Sequence, residues 1–245
     1  MNRPPDIRVS LLDGFTVRLG DAGPSPDAGQ LPRGVQRLVA SLCLAGRPAR
    51  TAIAGQLWPD LPEGHAQGSL RSALWRLQKS APGLVECSGG ALSLAGDVRV
   101  DVREFREWAR RVLDPRTDVC ALPSPLDWFP GELLPGWYDD WVLFEREQLR
   151  QLRMHALEAL AQKLAAAGRY GEAVQAAYAA VRVEPLRESA HRVVVRVHLA
   201  EGNVTEAVRA YENFRALLAD ELGVRPTTQM EDLVRRIPRR RPLRA

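Results

Sequence analysis

The stretch "LRSALWRLQKS", residues 70–80, gathers side chains able to engage a polyanion. Leu70, Leu74 and Leu77 recur at helical spacing with Ala73 beside them. On a helix they make one buried stripe and leave Arg71, Ser72, Trp75, Arg76, Gln78 and Lys79 facing outward. Arginine can grip guanine with two parallel hydrogen bonds, and arginine or lysine can sit against phosphate as a charge. The plain alternative for Arg71, Arg76 and Lys79 is a solvated face. Trp75 falls at the edge of the stripe, where a large aromatic covers a join with a neighbouring element as readily as it touches a nucleic acid.

The charge distribution bears on the choice. The chain has 245 residues and a formal net charge of +4. Residues 31–80 hold seven cations (33, 37, 47, 50, 71, 76 and 79) against Asp60 and Glu63, a net of +5. Residues 225–245 hold seven arginines against Glu231 and Asp232, also +5, so the rest of the chain sums to −6. Locally basic segments on a chain of mixed charge suit a polyanionic partner, because each neutralised phosphate releases counterions.

The remaining composition narrows the class. No apolar run approaches the roughly 18 residues that span a bilayer, and "MNRPPDIRV" lacks the apolar block of a signal peptide, so a cytoplasmic protein with no membrane partner is expected. Cys43, Cys87 and Cys120 are far apart and lack CxxC spacing, which reads as reduced thiols without a metal. His65, His155, His191 and His198 show no metal-site spacing, and no GxSxG occurs. His191 and His198, two turns apart, read as packing or solvent-facing residues. Neither a catalytic constellation nor a cofactor motif is present, and the sequence does not read as an enzyme.

The elements that must position the cationic face follow from the pattern around it. "IRVSLLDGFTVRL" alternates on either side of Asp13-Gly14, predicting two short strands and a tight turn. "VQRLVASLCLAG" places Val35, Leu38, Val39, Leu42 and Cys43 at helical spacing, ended by Gly46 and Pro48. A shorter helix runs from Thr51, a candidate N-cap, through Ile53 and Leu57 to Trp58, where Pro59 stops it. The cationic helix spans about His65 to Ser80. "LVECSGGALSLAG" then gives two strands around Ser88-Gly89-Gly90. Strands, three helices and a hairpin outline a winged helix-turn-helix, with the third helix in the major groove and the hairpin as wing. In that geometry Arg33 and Arg37, opening the first helix, suit backbone phosphates.

A second composition begins near Val98. "VDVREFREWARRVL" is helical with Asp101 placed to cap it, while "DPRTDVCALPSPLDWFPGELLPG" is too rich in proline for regular structure and packs Trp128 and Phe129 on a neighbour. From Asp139 to about Gly168 runs a long amphipathic helix with Trp141, Phe144, Leu152, Leu160 and Leu164 inward; Asp139 and Asp140 are its acidic start. "GRYGEAVQA" at Gly168 matches "GNVTEAVRA" at Gly202, a separation of 34 residues, which is the tetratricopeptide period. Stacked helical hairpins are expected, then a closing helix over "TTQMEDLVRRI". The expected organisation is a winged helix over 1–98, α-helical repeats over 99–237, and a basic disordered tail over 238–245 that either adds phosphate attraction or is simply solvated.

Several segments carry a family resemblance: "LPRGVQRLVASLCLAGRP", "GQLWPDLPEGHAQGSLRSALWRLQK", "VRVDVREF" and, most specifically, "LLPGWYDDWVLFEREQLRQLRMHALEAL" with "EPLRESAHRVVVRVHLAEGNVTEAVRAYENFRALLADELGVRPT". In these the chain resembles the Streptomyces antibiotic regulatory proteins (SARP) and related actinobacterial activators, which join an OmpR-like winged helix to a bacterial transcriptional activation domain (BTAD). The resemblance implies binding to double-stranded DNA at promoter direct repeats and activation through RNA polymerase. It also places Arg71, Ser72, Trp75, Arg76 and Lys79 on the groove-facing helix. Two departures stand out. The wing "ECSGGALSL" has no Arg or Lys, leaving Ser88 and the amides near Gly89 and Gly90 for phosphate. Neither a GxxxxGK[ST] phosphate loop nor a receiver domain occurs. The repeats would serve homodimerisation or other protein contacts, with half-sites about 10 to 10.5 base pairs apart. The competing reading is a tetratricopeptide-type adaptor whose winged helix contacts protein.

Overall fold

The computed structural model describes residues 7–20, 31–119 and 131–235. The chain divides into two compact units, Met1–Glu107 with Asp127–Gln148, and Trp108–Leu126 with Leu149–Ala245. Trp128, Phe129, Cys120 and the basic tail lie outside the described residues.

In the first unit β1 (Ile7–Ser10) and β2 (Thr16–Leu19) pair antiparallel, Val9 opposite Val17. Alternation puts Ile7, Val9 and Val17 inside and Arg8, Thr16 and Arg18 outside. In α1 (Arg33–Ala45) all five spacing-predicted residues are buried, and Gly46 leaves the helix at φ +79°. Burial pushes the Cys43 thiol up to about 12, so it stays protonated and serves as packing.

The next helix, α2 (Arg50–Leu57), buries Ile53 and Leu57 as expected, but Thr51 is not its N-cap. Ala49 holds that position without a side-chain bond. The start is fixed instead by strand-like pairing: Leu92 N–H donates to Pro48 O at 3.0 Å and Arg50 N–H to Gly90 O at 3.0 Å. The cationic helix is α3 (Glu63–Ser80), and β3 (Val85–Ser88) and β4 (Ala91–Leu94) form the predicted hairpin. Gly89 and Gly90 both have positive φ, +59° and +78°, as a two-residue hairpin turn of the primed type demands.

Two further pieces complete this unit. A two-residue β5 (Arg99–Val100) pairs parallel with β1 and gives the sheet order β2-β1-β5. At the start of α4 (Asp101–Leu113) the Asp101 carboxylate accepts the N–H of the next residue, Val102, at 2.7 Å, rather than one from the second or third helical residue as an N-cap does. It also accepts Leu11 N–H at 2.9 Å and Leu12 N–H at 3.0 Å, fastening the helix to the end of β1. Burial pushes its pKa up, against the pull of the amides of Leu12, Leu11 and Val102. Arg103 donates to the carbonyls of Leu42 and Cys43, and Arg106 to that of Leu44, so α4 satisfies the orphan carbonyls ending α1.

The segment before α5 (Asp140–Ala166) belongs to the same unit. Leu134 N–H donates to Leu11 O and Asp13 N–H to Glu132 O, while Arg146 donates to the carbonyls of Leu133, Leu134 and Trp137. Compactness therefore does not break at residue 98, because Arg99 and Val100 pair with β1, Asp101, Glu132 and Leu134 bond to residues 11–13 just after it, and Arg103 and Arg106 bond to the end of α1. Of the expected inward residues of α5, Leu160 and Leu164 are buried and Trp141 and Leu152 half-buried. Phe144 is not inward; it is 63% exposed.

The second unit continues α5 into α6 (Tyr170–Val183), α7 (Glu188–Glu201), α8 (Val204–Leu222) and α9 (Thr228–Arg235). The 34-residue repeat holds: Gly168 and Gly202 turn the chain at φ +73° and +88°, and Ala173 and Ala207 are fully buried at matching positions. Small side chains at Ala173, Ala176, Ala177 and Ala180 let α6 lie close to its neighbours, and α7 packs against both α6 and α8. His191 stacks on Phe214 at 4.1 Å between ring centroids, and burial pushes its pKa down. His198 is buried beside Tyr178, so both histidines pack. Glu188 accepts the backbone N–H of Thr227 at 2.8 Å, the Thr227 hydroxyl and Arg192, pinning the approach to α9 onto α7.

Candidate nucleic-acid interface

The outward face of α3 is held by what lies beneath it. Ala66, Leu70, Ala73 and Leu77 are buried in the first unit, with Leu74 half-buried at the margin. The helix is thereby fixed in rotation, and Arg71, Ser72, Trp75, Arg76, Gln78 and Lys79 all emerge exposed. Trp75 is 67% exposed, with most of its surface open to solvent; Lys79 Nζ lies 5.8 Å from its ring centre. The Ser72 hydroxyl donates to Gly68 O at 3.1 Å. Among the described residues, the guanidiniums of Arg71 and Arg76 have neither a carboxylate nor a carbonyl partner. Glu63, in the first turn, is the only acid on the helix and sits where the helix dipole favours it.

The start of α1 differs. Arg37 Nη2 lies 2.6 Å from Asp139 Oδ1 in a pair whose side chains are only 22% and 15% exposed. Arg33 Nη2 is 4.0 Å from the other oxygen of Asp139, and its guanidinium lies 3.6 Å over the centre of the Trp137 ring. Both arginines singled out for phosphates are thus engaged within the unit. Arg33 stays half-exposed, whereas Arg37 is largely withdrawn. The sequence placed Asp139 at a helix start, which it is: its carbonyl accepts Val142 and Leu143 N–H. Its pairing with α1 joins segments too distant in the chain for periodicity to connect.

At the wing Ser88 is exposed next to the turn. The hairpin has no cation of its own, but two arrive from elsewhere. Arg47 Nη2 reaches Ser88 O at 3.4 Å, and Arg50 Nη1 lies 3.9 Å from Cys87 Sγ. They are brought by the pairing of Ala49 with Ala91 across the wing's edge. Reading the wing's own residues missed them. The signal present was their proximity to Pro48 and to the α2 start, which becomes informative only once that pairing is known.

Beside α3 a cavity of about 760 Å³ opens between the start of α1, the end of α2 and the first half of α3. Trp58, His65, Ser69, Arg71 and Arg76 are on its wall. Among the described residues, no helix is long and apolar enough to cross a membrane, and no group of three or more His, Cys, Asp or Glu is placed to hold a metal.

Comparison with known proteins bears on this arrangement. The chain is 30% identical over 213 residues to the regulatory protein AfsR of Streptomyces coelicolor, and 31% identical over 212 residues to the AfsR of Streptomyces griseus. These alignments cover 82% and 79% of this chain, which spans about a fifth of either relative, 21% in each case. The solved structure of Mycobacterium tuberculosis EmbR in complex with a low affinity phosphopeptide shares the fold. Its TM-score is 0.69 at 19% identity, covering 95% of this chain and 65% of EmbR. The family model described as bacterial transcriptional activator domain matches residues 100–238, beginning close to the compositional change near Val98. That match covers more than half of the sequence, and the chain belongs to the bacterial transcriptional activator domain family.

Proposed function

We propose that the chain is a DNA-binding transcriptional activator of the SARP type, acting at promoter direct repeats and contacting RNA polymerase. The observation that carries the reading is the exposed set Arg71, Arg76 and Lys79, without carboxylate partners among the described residues, on a helix whose opposite side is core. Many arginines elsewhere find carboxylates or carbonyls, and Arg18, Arg116, Arg182, Arg196 and Arg225, without such partners among the described residues, lie on separate elements, whereas here three cations share one helix face. Here α3 enters the major groove, with Arg71 and Arg76 reading base edges, Ser72 and Trp75 beside them and Lys79 on phosphate. Gly64, Gly68 and Ser72, one turn apart, keep the first half of that face low enough for close approach. Ser88, Arg47 and Arg50 put the wing against the backbone, and Arg33 faces a phosphate from the start of α1.

The repeat unit serves contacts with a second copy or with polymerase, and no enzymatic step belongs to the reading. The test is a gel shift with duplex fragments from upstream of the protein's own gene and its neighbours. A specific shift that weakens steeply with salt is expected. No specific shift even at low salt would refute DNA binding in favour of a protein-contacting adaptor.

A further inference from the structure

The cavity beside α3 is more than a by-product of helix packing. Its volume of about 760 Å³ is within the range of small-molecule sites. Val35 and Ala73 give an apolar floor, and the Trp58 indole a flat aromatic wall. Arg71 and Arg76 supply two planar cations without partners among the described residues, and Ser69 supplies a hydroxyl. Gly34, Gly64 and Gly68 are on its lining. A Cβ built on Gly64 or Gly68 would meet no backbone, and at Gly68 only the tip of the Arg71 side chain at 3.7 Å. Glycine is a poor helix former, and at these two positions, one turn apart, it leaves room that a side chain would otherwise take.

We infer that this cavity binds a small planar aromatic anion, and that its occupancy withdraws Arg71 and Arg76 from DNA. The inference rests on the proposed function for its regulatory half, since the two guanidiniums are shared. A sugar–phosphate strand would use the cations but not the indole wall or the apolar floor. A planar aromatic carboxylate uses all three: its ring lies against Trp58, and its carboxylate accepts paired N–H groups from a guanidinium.

The test uses 2-naphthoate as probe and the full chain, with binding followed by calorimetry in the absence of DNA. Saturable one-to-one binding is expected. It should weaken at least about tenfold in Trp58→Ala, which removes the wall, and in Ser69→Leu, which fills the space from a half-buried position. Absence of saturable binding, or binding indifferent to Ser69→Leu in a folded variant, overturns the site. Saturating naphthoate should also lower duplex affinity at fixed salt, and an unchanged affinity overturns the coupling. A protein that shifts no duplex yet takes naphthoate in a Ser69-dependent way refutes the DNA reading while upholding this site.

Discussion

Arg37 and Arg76 belong to the same compact unit, and the protein treats them differently. Arg37 is drawn to Asp139 at 2.6 Å, and nearby Arg146 holds three carbonyls that no regular element satisfies. Arg76, like Arg71, is left without a partner among the described residues, on the exposed side of α3. Where an arginine completes the hydrogen bonding of a buried segment it is part of the fold. Where the fold supplies nothing for it, the side chain is available to something outside. The difference lies in the neighbours that tertiary structure brings, not in residue type or local spacing.

Substitutions sharpen that contrast. Arg146→Ala should cost the most stability, about 3 kcal/mol, because it leaves the carbonyls of Leu133, Leu134 and Trp137 short of a charged donor. Chemical denaturation would measure it, and a loss below about 0.5 kcal/mol, the scale of an ordinary surface change, would break the contrast on its structural side. Arg76→Ala should do the converse. Duplex affinity falls by about 2 kcal/mol and preference at one base position relaxes, while the melting temperature stays near that of the wild type. Arg37→Ala falls between, losing about 1 kcal/mol of stability from a partly buried pair and less duplex affinity than Arg76→Ala. If Arg37→Ala weakened DNA binding as much as Arg76→Ala, its pairing with Asp139 would have to open on the duplex.

The smallest effect concerns pH in the second unit. Glu188 is partly desolvated, which raises its pKa, but bonds from Thr227 and Arg192 more than offset this and hold it below the ordinary 4.5. The stability it contributes is therefore present above about pH 4.5 and is lost as pH falls through the lowered folded value. Glu188→Gln should flatten this part of the acid limb of the stability curve. An identical acid limb in the variant would show that the Thr227 bonds do not depend on charge.

What was legible in the sequence follows the same division. The buried stripe of α3, the five core positions of α1 and the 34-residue repeat each rest on short-range spacing, and each is found. Features set by distant pairing were not legible. The β5 strand is two residues long and exists because β1 lies beside it. Thr51 is displaced as a cap because Ala49 pairs with Ala91, and that pairing also brings Arg47 and Arg50 to a wing with no cation of its own. Phe144 looked inward by periodicity, yet the start of α5 is set by Asp139 and Arg146, which leave it facing out. For the candidate site, the face was readable but its electrostatics were not, since only the fold decides which arginines are neutralised.

The central claim is that the unpaired guanidiniums of α3 read a duplex, and selection from a pool of random double-stranded sequences tests it most directly. Wild-type protein should enrich a short motif repeated about one helical turn apart, and Arg76→Ala should lose preference at one or two positions of that motif. Failure to enrich any sequence, or an identical motif recovered by the folded variant, would contradict it.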